Sequence, residues 1–221
     1  MVKPPPQGPR PALSLEVLAL RRRQRRLVMI TLGALALAGA GYGVYEYIDS
    51  APQRADKEFD EGMKLMRPGK YPDAVIRFTH VLNISGQRSD AYFARGNAHH
   101  SLGDADAALA DFQAAVDLNP SLAAAHNGIA TIYIERHDTL HALQELDKSI
   151  AIQPTIEAYY QRGEILESQG EHQKAIDNYD LAIAIDRDAP EVYLARATAK
   201  ASLGDQDGAH ADRVLAAQLQ R

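Results

Sequence analysis

An all-α array of about five helix-turn-helix repeats, carried behind an N-terminal transmembrane helix, is the fold this sequence predicts. Three observations predict it. Gly62, Gly96, Ala130, Gly163 and Ala197 stand at intervals of 34, 34, 33 and 34 residues. Ala74, Ala108, Ala142, Ala175 and Ala209 keep those intervals twelve residues further on. Nearer the start, Leu27 to Tyr45 is a run of 19 residues without a charge. A bundle of unrelated helices has no reason to hold a fixed period. Units that each leave an apolar face open must stack on like units, and they do hold one.

In chain order, residues 1–26 form a Pro/Arg-rich arm. MVKPPPQGPRP suits a solvated or locally polyproline-like tail, and Ala12 to Leu20 a short helical lead-in. Arg21, Arg22, Arg23, Arg25 and Arg26 close the arm. Residues 27–48 follow as the expected membrane helix. From Leu27 to Tyr45 it would span about 28 Å, against a hydrocarbon layer of about 30 Å. Tyr42, Tyr45 and Tyr47 gather at its far end, where amphipathic rings favour the interface. All five arginines lie on one side, and acidic residues dominate on the other. The positive-inside rule therefore puts the arm in the cytoplasm and the repeats across the membrane. The rival reading is a cleaved signal peptide ending at Ala38-Gly39-Ala40. Apolar character that runs on through Val44 and Ile48 favours the uncleaved anchor. Gly39 and Gly43 form a GxxxG through which two such helices could pack. Residues 49–54, with Pro52, read as a short linker.

The repeats then run at about 55–88, 89–122, 123–155, 156–189 and 190–221. Within 89–122, small and apolar residues recur at helical spacing from Tyr92 to Leu102 and again from Ala107 to Leu118. Gly103-Asp104 breaks the pattern between them, and Pro120 ends the second run because it has no N–H to give. Turn glycines stand at Gly69, Gly103, Gly170 and Gly204, with His137 in that place in the third unit. Phe78, Phe112, Leu146 and Tyr179 hold a large anchor on each second helix. Lys200 and Arg213 occupy positions that are apolar in earlier units, which suits a terminal repeat with no neighbour, and no separate capping helix is expected after it.

These anchors resemble the tetratricopeptide repeat, a helix-turn-helix of about 34 residues, over Ala55 to Arg221. The resemblance implies a right-handed superhelix whose first helices line a concave face. Carrying the family's inward positions onto this chain gives a candidate partner groove of Phe59, Met63, Phe93, Asn97, His100, Asn127, Tyr160 and Glu164. Asp56, Asp90, Ala124, Glu157 and Glu191 form one edge, with Thr131, Leu194 and Thr198 also inward. Co-chaperone members of the family hold acidic peptide tails with cationic groove residues. Here those positions carry no Lys or Arg, since Arg95, Arg162 and Arg196 fall two residues away, towards the packing side. A segment with apolar anchors and some basic charge is the better expected ligand.

Composition narrows the function classes. Residues 1–50 hold seven basic and three acidic side chains, which leaves 17 basic and 26 acidic in the remainder. An acidic array lacks the basic footprint of a nucleic-acid binder. With no cysteine there is neither a disulfide framework nor a thiol nucleophile. His137 and His141 are four apart but lack the glutamate of a zinc-protease motif, and no phosphate loop or nucleophile elbow occurs. No catalytic residue, metal or cofactor is therefore expected. The expectation is a non-enzymatic scaffold in a bacterial inner membrane, with its repeats in the periplasm. It would act on protein partners and the lipid bilayer as adaptor, assembly factor or accessory subunit of a membrane or envelope complex. A targeting receptor with cytosolic repeats and a homo-oligomeric scaffold are the alternatives.

Overall fold

The computed structural model describes residues 51–220. They form ten α-helices in five antiparallel pairs: α1 (Ala51–Lys64) with α2 (Tyr71–Ile84), α3 (Ser89–Ser101) with α4 (Ala105–Leu118), α5 (Ala123–Glu135) with α6 (Thr139–Ile152), α7 (Ile156–Ser168) with α8 (His172–Ile185), and α9 (Pro190–Ser202) with α10 (Gln206–Leu219). Contacts run within pairs and to the next helix in order, the pattern of an α-solenoid. The arm, the membrane helix expected at 27–48 and its arginines lie outside the described residues. Among the described residues no helix is long and apolar enough to cross a membrane. Ala51 to Arg54, expected as linker, are the first residues of helix α1. A proline early in a helix is tolerated, because its missing N–H has no partner there.

The turns have one recurring construction. Gly69, Gly103, Gly170 and Gly204 take φ of 78°, 79°, 78° and 86°, and His137 takes 58° in the equivalent turn. At Gly103 the amides of Gly103 and Asp104 return to the carbonyls of His100 and His99 at 2.9 Å each, which satisfies the last groups of α3. Asp104, Asp138 and Asp205 then cap the next helix by accepting from the amides of Ala107, His141 and Gly208.

Packing within each pair turns on one small residue. A Cβ placed on Gly62, Gly96 or Gly163 would lie 2.6, 2.7 or 2.5 Å from a ring carbon of Phe78, Phe112 or Tyr179 respectively. All three rings are buried to within 1%. Where the large anchor is not aromatic the small one is alanine: Ala130 packs in one cluster with Leu146, and Ala197 stands in the pair that carries Arg213. Glycine thus appears where a flat ring must lie directly on helix backbone.

Three arginines lock first helices to second helices. Arg95 Nε and Nη2 donate to Asp111 at 2.8 and 2.7 Å, and Nη1 donates to Thr79 on α2 at 3.1 Å. Arg162 bridges Asn178 and Asp147 at 2.7 Å each. Arg196 bridges Asp212, at 2.9 and 2.6 Å, and Asp180. Each therefore ties its own second helix to that of the preceding repeat. Each also lies over a tyrosine, Tyr92, Tyr159 or Tyr193, at 5.3–5.5 Å. The third repeat has Ile129 at this place, and His126 supplies the contact instead, with Nδ1 2.6 Å from Glu145.

Candidate functional site

With their arginines committed to packing, the first helices present the opposite face. Residues three, four and seven apart on one helix share a side, so α7 offers Glu157, Tyr160, Gln161 and Glu164 together. Two hollows open along this face. One, of about 590 Å³, lies between α3, α5 and α7, and its lining includes Phe93, Asn97, His100, Asn127, Thr131 and Gln161. The other, of about 490 Å³, lies between α7 and α9 and is lined by Tyr160, Glu164, Glu167, Glu191, Leu194 and Thr198. Both are of the size that takes a peptide side chain or a small ligand.

Six of the eight groove positions expected from sequence are thus brought to these hollows. Phe93 and Tyr160 are half-buried, with rings tilted against Phe112 and Tyr179 at centroid distances of 5.8 and 6.1 Å. They wall the hollows and brace the fold at once. Phe59 and Met63 line neither hollow. Phe59 packs on Phe78 at 5.6 Å, while Met63 is 49% exposed. The reason is Arg88, whose guanidinium lies over the Phe59 ring at 4.8 Å and bonds Asp56 at 2.6 Å and Asp90 at 2.6 and 3.1 Å, which fills the corner.

The electrostatics differ along the face. His100 Nε2 lies 2.7 Å from Glu135. Asn127 Oδ1 and Gln161 Oε1 are buried and accept nothing. The Gln161 orientation is set, because its amide nitrogen donates to Thr131 and to Glu157 at 3.0 Å each. Partial burial, then the charges of Glu164 and Glu191, pushes the Glu157 carboxyl above the usual carboxylate range. Burial, then the hydrogen bond to Glu164, likewise raises the Tyr160 phenol. None of Glu157, Glu164 and Glu191 is in a salt bridge with another described residue.

Gln161 was not among the expected groove residues. A signal for it exists, because Asp60, Ala94, Gly128 and Ala195 hold the equivalent places and a long amide stands out among them. Of the two histidines weighed as metal ligands, His137 lies in its turn, and His141 bonds Asp138 at 2.7 Å and stacks on Tyr133. Among the described residues no group of three or more metal-ligating side chains comes together.

Residues 89–122 and 156–188 match the tetratricopeptide repeat family, so the chain carries repeats of that kind in its second and fourth pairs. Photosystem I assembly protein Ycf3 of Rippkaea orientalis is 34% identical over 89 residues, 38% of this chain and 51% of that protein. The chain thus spans about half the length of that curated relative. Among solved structures, a crystal structure of MamA superposes with a TM-score of 0.64 at 23% identity, over 72% of this chain and 94% of that one. MamA from Desulfovibrio magneticus, residue 41 to the end, gives 0.66 at 18%, over 76% and 96%. A thermophilic TPR protein of Thermus thermophilus gives 0.61 at 24%, over 75% and 91%. These are likenesses of fold.

Proposed function

We propose that this chain is a membrane-held scaffold that binds a protein segment along the first-helix face of its repeats and serves as an assembly factor or accessory subunit of a membrane complex. The observation that carries the reading is the pair of hollows lined by Phe93, Asn97, Asn127, Tyr160 and Leu194. Aromatic and aliphatic anchors set among amide and carboxylate side chains suit an extended segment. The uncharged run at 27–45 and the five arginines before it support a single-pass anchor with a cytoplasmic arm and periplasmic repeats in a bacterial inner membrane. The name of the Ycf3 relative supports the assembly role by analogy.

The test is co-purification of the full-length protein from its native membrane in mild detergent. A stoichiometric partner is expected. Phe93→Ala with Tyr160→Ala removes it, and Asn97→Arg, which blocks the larger hollow without removing a packed ring, does the same. Retention of the partner by Asn97→Arg, with helicity intact, refutes the groove. Protease added outside intact spheroplasts should digest the repeats. Protection there, with digestion from the cytoplasmic side, refutes the orientation.

A further inference from the structure

The repeats contain a worked example of a receptor for arginine and, three units later, the same receptor without one. Asp56, Phe59 and Asp90 hold the Arg88 guanidinium. It bonds both carboxylates at 2.6–3.1 Å and lies over the ring at 4.8 Å. By repeat position, Glu157 stands for Asp56, Tyr160 for Phe59 and Glu191 for Asp90. Two carboxylates and an aromatic face are therefore kept. The position of Arg88, the residue preceding α3, is Ala189, the residue preceding α9.

The corner between α7 and α9 is consequently rich in acceptors, and among the described residues no Lys or Arg lines its hollow. Glu164 adds a third carboxylate where the first repeat has Met63. On the side of Glu157 that faces the larger hollow, Gln161, 8% exposed and hydrogen-bonded to Glu157 through its nitrogen, leaves its buried oxygen without a donor. A guanidinium is the complementary group. It is planar, offers five donors and no acceptor, and stacks on aromatic rings. An ammonium has the charge but neither the fork nor the flat face. Among the described residues, arginines lying over Tyr92, Tyr159 and Tyr193 show the same preference inside this fold.

We propose that Glu157, Tyr160 and Glu191 form a receptor for an arginine side chain carried by an extended segment of a partner protein. This rests on the groove reading above and adds the chemistry that selects the occupant. Tyr160 and Glu191 line the hollow between α7 and α9, where leucine-sized neighbours of that arginine meet Leu194, and Glu157 reaches the receptor from the edge of the larger hollow, which it lines.

The experiment measures binding of two labelled twelve-residue peptides to the full-length protein by fluorescence anisotropy at low salt. Both are Ser/Ala peptides with a central Leu-X-Leu, where X is arginine or its neutral isostere citrulline. The arginine peptide is expected to bind at least about tenfold more tightly. Glu157→Gln with Glu191→Gln should abolish that preference. Asp177→Asn with Asp207→Asn, which removes equal charge from second helices, should leave it. Ala189→Arg should also abolish it, because the chain then fills its own receptor as Arg88 does; Ala189 is 5% exposed, so circular dichroism is used to check that this variant keeps its helices. The proposal is overturned if arginine and citrulline bind alike, if the preference survives Glu157→Gln/Glu191→Gln, or if the second-helix control removes it equally. If citrulline binds as well as arginine and Asn97→Arg abolishes both, the groove stands and the arginine receptor falls. If the arginine preference is present and Asn97→Arg leaves it unchanged, the receptor stands and the part of the larger hollow that Asn97 lines is not needed for it.

Discussion

Gly96 and Phe112 offer a sharp test of how the array is packed. A methyl on Gly96 would sit 2.7 and 2.8 Å from two carbons of the Phe112 ring. That ring is pinned from its other edge, because a Cβ on Gly128 of the next repeat would lie 2.9 Å away. The ring is 1% exposed and has nowhere to retreat. Overpacking of this kind costs about 1–3 kcal/mol, and replacing glycine by alanine inside a helix returns up to about 1 kcal/mol. Gly96→Ala should therefore destabilise the array by about 1–2 kcal/mol, against the usual sign for that substitution in a helix. Phe112→Leu alone should cost about 1 kcal/mol through lost volume. The double variant recreates the alanine–leucine pairing of Ala130 and Leu146, so the clash is gone and the two costs do not add. A coupling of about 1–2 kcal/mol, favouring the double variant, is expected. Thermal and urea unfolding followed by circular dichroism measure all four corners of the cycle. At this size 1 kcal/mol moves the midpoint by about 2–4 °C. A neutral or stabilising Gly96→Ala, or costs that add within about 0.5 kcal/mol, would refute ring-on-glycine packing as the reason for the repeat's small anchor.

Other predictions follow from single features. Gly103 has φ of 79° with open space where a side chain would go, so Gly103→Ala should cost about 1 kcal/mol from backbone strain alone. His137 holds the equivalent turn at φ 58°, and His137→Gly should raise the melting temperature by up to about 1 kcal/mol equivalent; a lowered midpoint would show that the histidine makes a compensating contact. Ser149 Oγ, 1% exposed, donates to the Ala123 carbonyl at 3.0 Å, so Ser149→Ala should cost about 1–2 kcal/mol. Burial works against ionisation of Asp212, but hydrogen bonds from Arg196 and Lys200 outweigh it and hold the carboxyl below its ordinary value of 3.8. A depressed carboxyl stabilises the fold above the ordinary value, and that contribution is lost as pH falls through the native one. Asp212→Asn should therefore destabilise at pH 7 and converge on the native protein only as pH falls below the ordinary value of 3.8 and through the lower native one; a difference that persists below that point would mean the loss is packing, not charge.

The repeat period, the helix pairs, the turn glycines and the small and large anchors are local or nearest-neighbour features, and one chain displays them directly. Helical spacing alone places Phe93, Asn97, Asn127, Tyr160 and Glu164 on one side of their helices. Read with the inward positions of the tetratricopeptide repeat, they fall along one face, and the structure finds them at its hollows. The start of α1 was less legible, because Pro52 reads as a linker residue although a proline is tolerated in the first turn of a helix. What spacing does not reveal is who meets whom across helices. Arg95, Arg162 and Arg196 each find one partner 16 residues on and another in the preceding repeat. Arg88 reaches acids on two successive first helices and lies over the Phe59 ring. The empty counterpart at Glu157, Tyr160 and Glu191 becomes visible only against that filled one. Sequence determined the unit because its signals lie within reach of a single turn or hairpin. The tertiary structure decided which charges are satisfied inside and which are left facing outward, because that depends on how successive repeats are rotated and stacked, and stacking brings together residues that no local pattern joins.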